Sequence, residues 1–370
     1  MTTVRAIDLR LVAMPLVRPF RTSFGVCTER VCILARVETD DAAGWGECVA
    51  DVRPEYSEEW NDGAWIVLRD LLGPALLGAG ETGSELVERA FSFVRGHPMA
   101  KATLVNALID AELRAQGRSL ASMLGATRDR VECGVSVGIA GSTDELLEQV
   151  DGYLAEGYRR IKLKIEPGTD VERVRAVREA HPDIALSVDA NAAYTLDDLE
   201  VFHELDAFGL LMVEQPLHQE DLWEHAELQR VISTDVCLDE SIRSVADARA
   251  AIELGSCRIV NVKQGRVGGL LEARRVHDAA AERSVPVWCG GMLETGIGRA
   301  TNLALAAMPN FRLPGDTSAS RRYFHEDLTD PFELAPDGTM AVPTGPGIGV
   351  DPIPGILDVV TVRSERLEKE

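Results

Sequence analysis

The sequence is poor in positive charge: its 370 residues hold 38 Lys plus Arg against 60 Asp plus Glu, a formal charge of −22. A surface of that sign repels phosphate, which argues against nucleic-acid binding while leaving room for a local cation site. Cysteine is sparse and unpatterned. Cys27, Cys32, Cys48, Cys133, Cys237, Cys257 and Cys289 make an odd number without a CxxC pair. That excludes a disulfide framework and points to free thiols in a reducing compartment. Long apolar runs are missing too. Phe208–Val213 is typical of the longest and falls far short of the roughly 20 residues of a membrane helix. Arg5, Asp8 and Arg10 interrupt the first segment, so no secretory signal is expected, and the reading is a soluble, cytoplasmic protein. Apolar mass is plentiful at 45% of residues, enough for a large core, and the length suits one or two domains.

The first 130 residues mix two periods. Val31–Val37 reads as a strand, with a turn at Thr39–Asp41 and a second strand at Gly44–Cys48, together an antiparallel hairpin. The segment 14–25 (MPLVRPFRTSFG) reads as a loop, because Pro15 and Pro19 break regular structure. Thr82–Glu85 has capping-box spacing ahead of Leu86, Val87, Ala90, Phe91 and Val94, and an apolar face predicts a second helix over 103–115. Strands followed by helices make an α+β domain over residues 1–128. From about 131 short apolar segments alternate with helical stretches: 131–137, 159–165, 184–189, 209–214, 235–239, 257–262, 285–289 and, more weakly, 310–314. Seven or eight βα units favour a closed parallel barrel, here over residues 129–324. An open doubly wound sheet is the alternative, but the early Gly-rich phosphate loop that marks one is missing. Residues of about 325–360 are expected to pack back on the first domain, and 361–370 read as a solvated polar tail.

Charged residues recur at the ends of these strands: Lys164, Asp189, Glu214, Asp239 and Lys263, at intervals of 25, 25, 25 and 24 residues. In a parallel barrel all strand C-termini open on one face, so the five side chains are expected around a single mouth. Three converging carboxylates need a cation or protons. Hard oxygen ligands suit Mg²⁺, Mn²⁺ or another divalent cation, and no His or Cys falls in phase to favour zinc. Taken singly, each acid could equally cap a helix or pair with a basic residue. Lys164 and Lys263 flank the trio and could move a weakly acidic C–H proton next to a carboxylate. Lys162 shares a strand face with Lys164 and could lower its proton affinity by like-charge repulsion.

At these residues the chain resembles the enolase superfamily, in its muconate-lactonizing branch, and within it the group of o-succinylbenzoate synthases and N-acylamino acid (N-succinylamino acid) racemases. The resemblance rests on KLK at 162–164, DAN at 189–191, EQP at 214–216, DES at 239–241, NVKQGRVGG at 261–269, GGMLETGIGRA at 290–300 and PGDTSAS at 314–320, with PFRTSFG at 19–25 and WGEC at 45–48. It implies an α/β fold: a modified (β/α)7β TIM-type barrel with an N-terminal α+β capping domain over its mouth. Asp189, Glu214 and Asp239 match the family's divalent-metal ligands, and Lys164 and Lys263 its catalytic lysines. Asn191 and Glu240 match polar neighbours of the metal, and Asp316 a supporting residue. The resemblance also makes Phe20, Arg21, Ser23, Phe24, Tyr56, Ser136, Met292 and Glu294 candidates for the lid or the substrate wall. The simpler reading of Phe20 and Phe24 is that they join cap to barrel.

The function this implies is metal-assisted syn dehydration of 2-succinyl-6-hydroxy-2,4-cyclohexadiene-1-carboxylate through an enediolate, the o-succinylbenzoate synthase reaction of menaquinone biosynthesis. The alternative is racemisation of N-acyl- or N-succinylamino acids, and one protein can carry both. The partner is a small-molecule carboxylate, with no nucleic acid and no membrane. Relatives are commonly homo-oligomers, dimers or octamers.

Overall fold

The computed structural model describes residues 1–23 and 25–369. Three long strands build the cap: β1 (Thr2–Arg21), β2 (Val26–Thr39) and β3 (Ala43–Cys48). Alternation places Val4, Ala6, Val12 and Met14 of β1 in the core, and Ile7 and Leu9 on its opposite face are buried as well. The turn after β2 closes as expected, with Thr39 N–H donating to the Ala42 carbonyl at 2.9 Å. Helix α1 (Pro98–Ala115) lies across β3 and buries every residue from Ala102 to Ala111, with Met99 and Ala100 before them. Its closeness depends on glycine: a Cβ on Gly46 would sit 2.0 Å from the Thr103 carbonyl oxygen, and one on Gly44 2.2 Å from the Ala111 nitrogen.

Three expectations about the cap change. Residues 14–21 are strand rather than loop, since β1 pairs with β2 as far as Arg21, with a register shift between Pro15 and Phe20. The prolines are tolerated because the strand on the other side of β1 pairs only with Ala6–Val12, so beyond that point β1 is a sheet edge that loses nothing by lacking an N–H. That other strand is the second correction. Thr361–Glu368 is no free tail but the last strand, β11, completing a sheet of order β11-β1-β2-β3. Its exposed residues are polar apart from Val362, so its alternation does not announce a strand. Third, the capping box at Thr82–Glu85 does not form. Gly83 precedes the helix Ser84–Ala90, and Ser84 bonds instead to Glu112 on α1, at 3.0 Å through its N–H and 2.8 Å through its hydroxyl.

The second body is a seven-stranded parallel sheet of β4 (Gly134–Val137), β5 (Arg160–Lys164), β6 (Ala185–Asp189), β7 (Val213–Glu214), β8 (Val236–Leu238), β9 (Ile259–Val262) and β10 (Val287–Cys289), in sequential order with helices between. Buried Leu146 and Val150, Val174 and Val177, and Ala248 and Ala251 are the helix faces that cover it. The weak eighth segment at 310–314 is not a strand. It and the residue after it contribute single parallel bridges, Val287 to Phe311 and Cys133 to Gly315, which carry the chain across the gap between β10 and β4. The architecture is therefore an α+β cap on a modified TIM-type barrel. The chain after the barrel returns to the cap: Ile348 N–H donates to Asp110 at 2.7 Å, and Arg114 pairs with Asp351 at 3.0 Å. Among the described residues no helix is long and apolar enough to cross a membrane.

Candidate active site

Parallel pairing puts the phased charges side by side. Lys164 stands opposite Asp189 in register, and Asp189 opposite Glu214. Cys237 is the partner of Glu214, so Asp239 lies two residues further on, just past β8, and Lys263 just past β9. All three carboxylates are buried to within 1%.

Ammonium and guanidinium groups hold these acids. Lys162 Nζ lies 3.0 Å from Asp189, 2.8 Å from Glu214 and 2.7 Å from Asp316. Lys164 Nζ donates to Asp189 at 2.7 Å and to Asn191 Oδ1 at 2.6 Å. At the other end of the row Lys263 Nζ donates to Asp239 at 2.7 Å and to the Tyr56 hydroxyl at 3.1 Å, and it rides 4.5 Å from the centre of the Tyr56 ring. Arg266 also binds Asp239, and Asn261 donates to Glu214 at 2.6 Å. Among the described residues no three Asp, Glu, His or Cys groups are gathered closely enough to hold a metal ion. The three acids share one end of the barrel as expected, but Lys162 sits between Asp189 and Glu214 where direct convergence was expected. The donor set nonetheless fits a hard divalent cation, being all carboxylate oxygen on neighbouring strand ends. Beside it the buried Glu240 Oε2 has no hydrogen-bond partner among the described residues.

Electrostatics sorts these groups. Burial pulls the Lys162 ammonium down, but Asp316, Glu214 and Asp189 outweigh it and hold it above the ordinary lysine range. Lys162 is thus held in its charged form, neutralising these acids. Burial likewise favours neutral Asp189, yet Lys164 and Lys162 hold it far below the usual carboxylate range, while burial and the Asp189 charge push Glu214 up. Burial lowers Lys263, but the Tyr56 hydroxyl, Glu240 and Glu214 raise it, with a net rise. Lys162 and Arg160 keep Asp316 ionised despite its burial.

Lys162, Lys164, Lys263 and Asp316 border a cavity of about 530 Å³ between cap and barrel, while Asp189, Glu214 and Asp239 lie behind them and are not among its lining residues. Lys162, Lys164, Asn191, Lys263, Asp316, Ser136 and Met292 line it from the barrel, Phe20 and Tyr56 from the cap. Tyr56 does more than cover the site, since its hydroxyl donates to Asp239 at 3.2 Å. Three candidates stand off the cavity wall. Arg21 turns outward to Glu166 at 3.3 Å, and the Ser23 hydroxyl bonds the Ala190 carbonyl at 3.4 Å. Glu294 is buried in the barrel, where Oε1 accepts from Asn302 at 2.8 Å, so it supports the wall from behind. Asn191 links Lys164 to Glu240, donating to the latter at 2.8 Å. Phe24 lies outside the described residues. Residue types and spacing did not single out Arg160, Arg266, Asn261 or Trp288. Arg160 and Lys162 stack on the buried Trp288 ring at 4.6 and 4.8 Å, forming the floor beneath the acids. The one available signal was alternation: Arg160 shares its strand face with Lys162 and Lys164.

Comparison with known proteins finds relatives over nearly the whole chain. Residues 6–125 match the family described as mandelate racemase/muconate lactonizing enzyme, N-terminal domain, and residues 145–355 the enolase C-terminal domain-like family. An N-succinylamino acid racemase of Amycolatopsis sp. is 58% identical, over 96% of this chain and 96% of that protein. An o-succinylbenzoate synthase of Geobacillus kaustophilus is 49% identical, over 94% and 93%. The crystal structure of an enolase-superfamily member from Listeria innocua superposes with a TM-score of 0.95 at 39% identity, covering 100% of both chains.

Proposed function

The chain belongs to the mandelate racemase/muconate lactonizing branch of the enolase superfamily, and on that premise we propose that it removes the proton next to a substrate carboxylate with lysines set at the two ends of its row of buried acids. The observation that carries this reading is that Lys164 and Lys263 reach one cavity from opposite ends of the row Asp189, Glu214, Asp239. Those three acids would hold the divalent cation. When bound, it supplies a positive charge against which a carboxylate gathers electrons as its α-proton departs.

The chain's own residues do the rest. Lys164 in its amine form takes the α-proton onto Nζ, and Asn191, already bonded to that nitrogen, fixes where it points. In dehydration the same Nζ returns the proton to the departing hydroxide, so water leaves, while the Lys263 ammonium opposes the charge that builds on the substrate. In racemisation Lys263 delivers its own proton to the opposite face of the carbon, and the two lysines exchange protonation states. Phe20 and Tyr56 close the cavity from the cap and keep water from the reacting carbon.

The first reading of the substrate is the cyclohexadiene carboxylate that yields o-succinylbenzoate. The second, N-succinylamino acid racemisation, is favoured by the racemase relative at 58% identity. Both substrates carry a carboxylate beside the acidic carbon and a succinyl tail, and both begin with the same proton transfer. Purified protein given Mg²⁺ or Mn²⁺ in D₂O is expected to exchange the α-proton of N-succinylamino acids and to dehydrate the cyclohexadiene. Failure of both reactions across a broad panel of succinyl carboxylates would refute the reading.

A further inference from the structure

The barrel turn at residues 290–295 (GGMLET) serves two parts of the site at once. Its first glycine is packed on the catalytic lysine, since a Cβ on Gly290 would meet Lys263 Cε at 2.7 Å and Asn261 Oδ1 at 2.3 Å. Its next three residues, Gly291, Met292 and Leu293, line the cavity. The turn is not a relaxed one. Leu293 has φ of 56°, a left-handed conformation that a leucine holds only where its surroundings impose it. Those surroundings include a residue from the other domain. Glu47 on cap strand β3, only 2% exposed, accepts from Thr295 N–H at 3.1 Å, the Thr295 hydroxyl at 2.6 Å and Gly298 N–H at 2.9 Å. These donors are the end of the turn and the first residues of the eleven-residue helix Gly296–Ala306. No other part of the cap is bonded to the turn itself among the hydrogen bonds of the described residues.

We propose that Glu47 is a positioning residue: from the cap sheet it fastens the end of the 290–295 turn, and through that turn, at Gly290, it sets the place of Lys263. This rests on the two-lysine reading of the site. It gives the cap a part in the proton transfer at one lysine only, because Lys164 stands on β5 and has no contact with the turn in this network. The WGEC segment thereby acquires two linked jobs. Gly46 admits α1 onto the sheet, and its neighbour Glu47 reaches the other way, into the barrel.

The test separates the two lysines. In a two-lysine racemase each lysine removes the α-proton of one enantiomer, so exchange in D₂O is measured for both enantiomers of one N-succinylamino acid, and Lys263→Ala shows which enantiomer depends on Lys263. Glu47→Gln keeps the volume and weakens the clasp. We expect it to slow exchange of the Lys263-dependent enantiomer by about tenfold to a hundredfold, as a displacement near 1 Å would, and to leave the other within about threefold. Equal loss for both enantiomers, or loss for neither, would overturn the assignment, since a residue that merely holds the fold together has no reason to distinguish them. Thr295→Val removes the hydroxyl at the other end of the clasp and should show the same one-sided loss if Glu47→Gln fails to fold. Absence of exchange by the unmodified protein would instead overturn the two-lysine reading itself, and with it the role given to Glu47.

Discussion

Lys162→Met isolates what the buried ammonium does for the acids around it. The substitution keeps an unbranched chain over the Trp288 ring and deletes the charge that lies 2.7–3.0 Å from Asp189, Glu214 and Asp316. Two of those acids keep a cationic partner, Asp189 in Lys164 and Asp316 in Arg160. Glu214 keeps only the Asn261 amide. Removing one member of a buried ion pair costs about 3–5 kcal/mol, because the other charge stays buried without compensation. Here Glu214 can escape part of that cost by taking up a proton, so the lower half of the range applies. For a chain this long 1 kcal/mol moves Tm by roughly 2 °C, and calorimetry without divalent cation should show a fall of about 6–8 °C. The deleted charge is also one that a divalent cation would supply at the same acids. Mg²⁺ or Mn²⁺ should therefore raise the Tm of the variant by more than it raises that of the unmodified protein. An unchanged Tm would refute the account of Lys162 as the neutralising group, and a fall that divalent cations do not reduce would refute Asp189 and Glu214 as cation ligands.

Gly290→Ala places a methyl group within 2.7 Å of Lys263 Cε. It should lower kcat by about a hundredfold or more, with a stability loss of only about 1–3 kcal/mol, measured by kinetics and thermal unfolding; near-normal kcat would show that the turn does not constrain Lys263. Stability should also fall as pH rises. Burial pushes Glu47 and Glu59 up to about 7 and Asp110 up to about 6 in the folded cap, well above their unfolded values. The folded state therefore holds more protons than the unfolded chain between roughly pH 4 and 7. The stabilisation is full below that window and lost through it, by up to roughly 3 kcal/mol for each glutamate. Tm measured from pH 5 to 8 should decline, less steeply in Glu47→Gln; a flat or rising profile would contradict these protonation states.

The phased strand ends were legible because a parallel barrel repeats one local unit. A charge that closes one strand returns some 25 residues later at the same height, and Lys164, Asp189 and Glu214 do stand opposite one another in register. What stayed illegible depends on contacts between distant segments. The partners that decide the charge of Lys162 are 52 residues away at Glu214 and beyond at Asp316. Arg266 sits in a glycine-rich stretch that carries no strand period, so nothing local shows it reaching back to Asp239. Pro15 and Pro19 break a strand only where both edges need donors, and the free edge of β1 appears only once β11 is placed. The Glu47 clasp spans 248 residues in sequence to Thr295 and has no local signature at all.

The two lysines are not equivalent, and the difference separates the two reactions. Lys164 shares Asp189 with Lys162 and donates its other bond to a neutral amide, Asn191. Lys263 has Asp239 and the Tyr56 hydroxyl as direct partners and the negative charge of Glu240 and Glu214 nearby, all of which favour its ammonium form. Dehydration asks Lys263 only for that charge, whereas racemisation asks it to give up and regain a proton. Lys263→Arg divides these demands, since a guanidinium keeps the charge and does not deprotonate near neutral pH. The variant should retain dehydration to within about tenfold to a hundredfold, a loss set by the bulk of the guanidinium, while racemisation falls by about a thousandfold or more. Rates of both reactions on one preparation decide the matter. Surviving racemisation would remove Lys263 from proton transfer, and an equal collapse of the two rates would mean that its charge alone is not what dehydration uses.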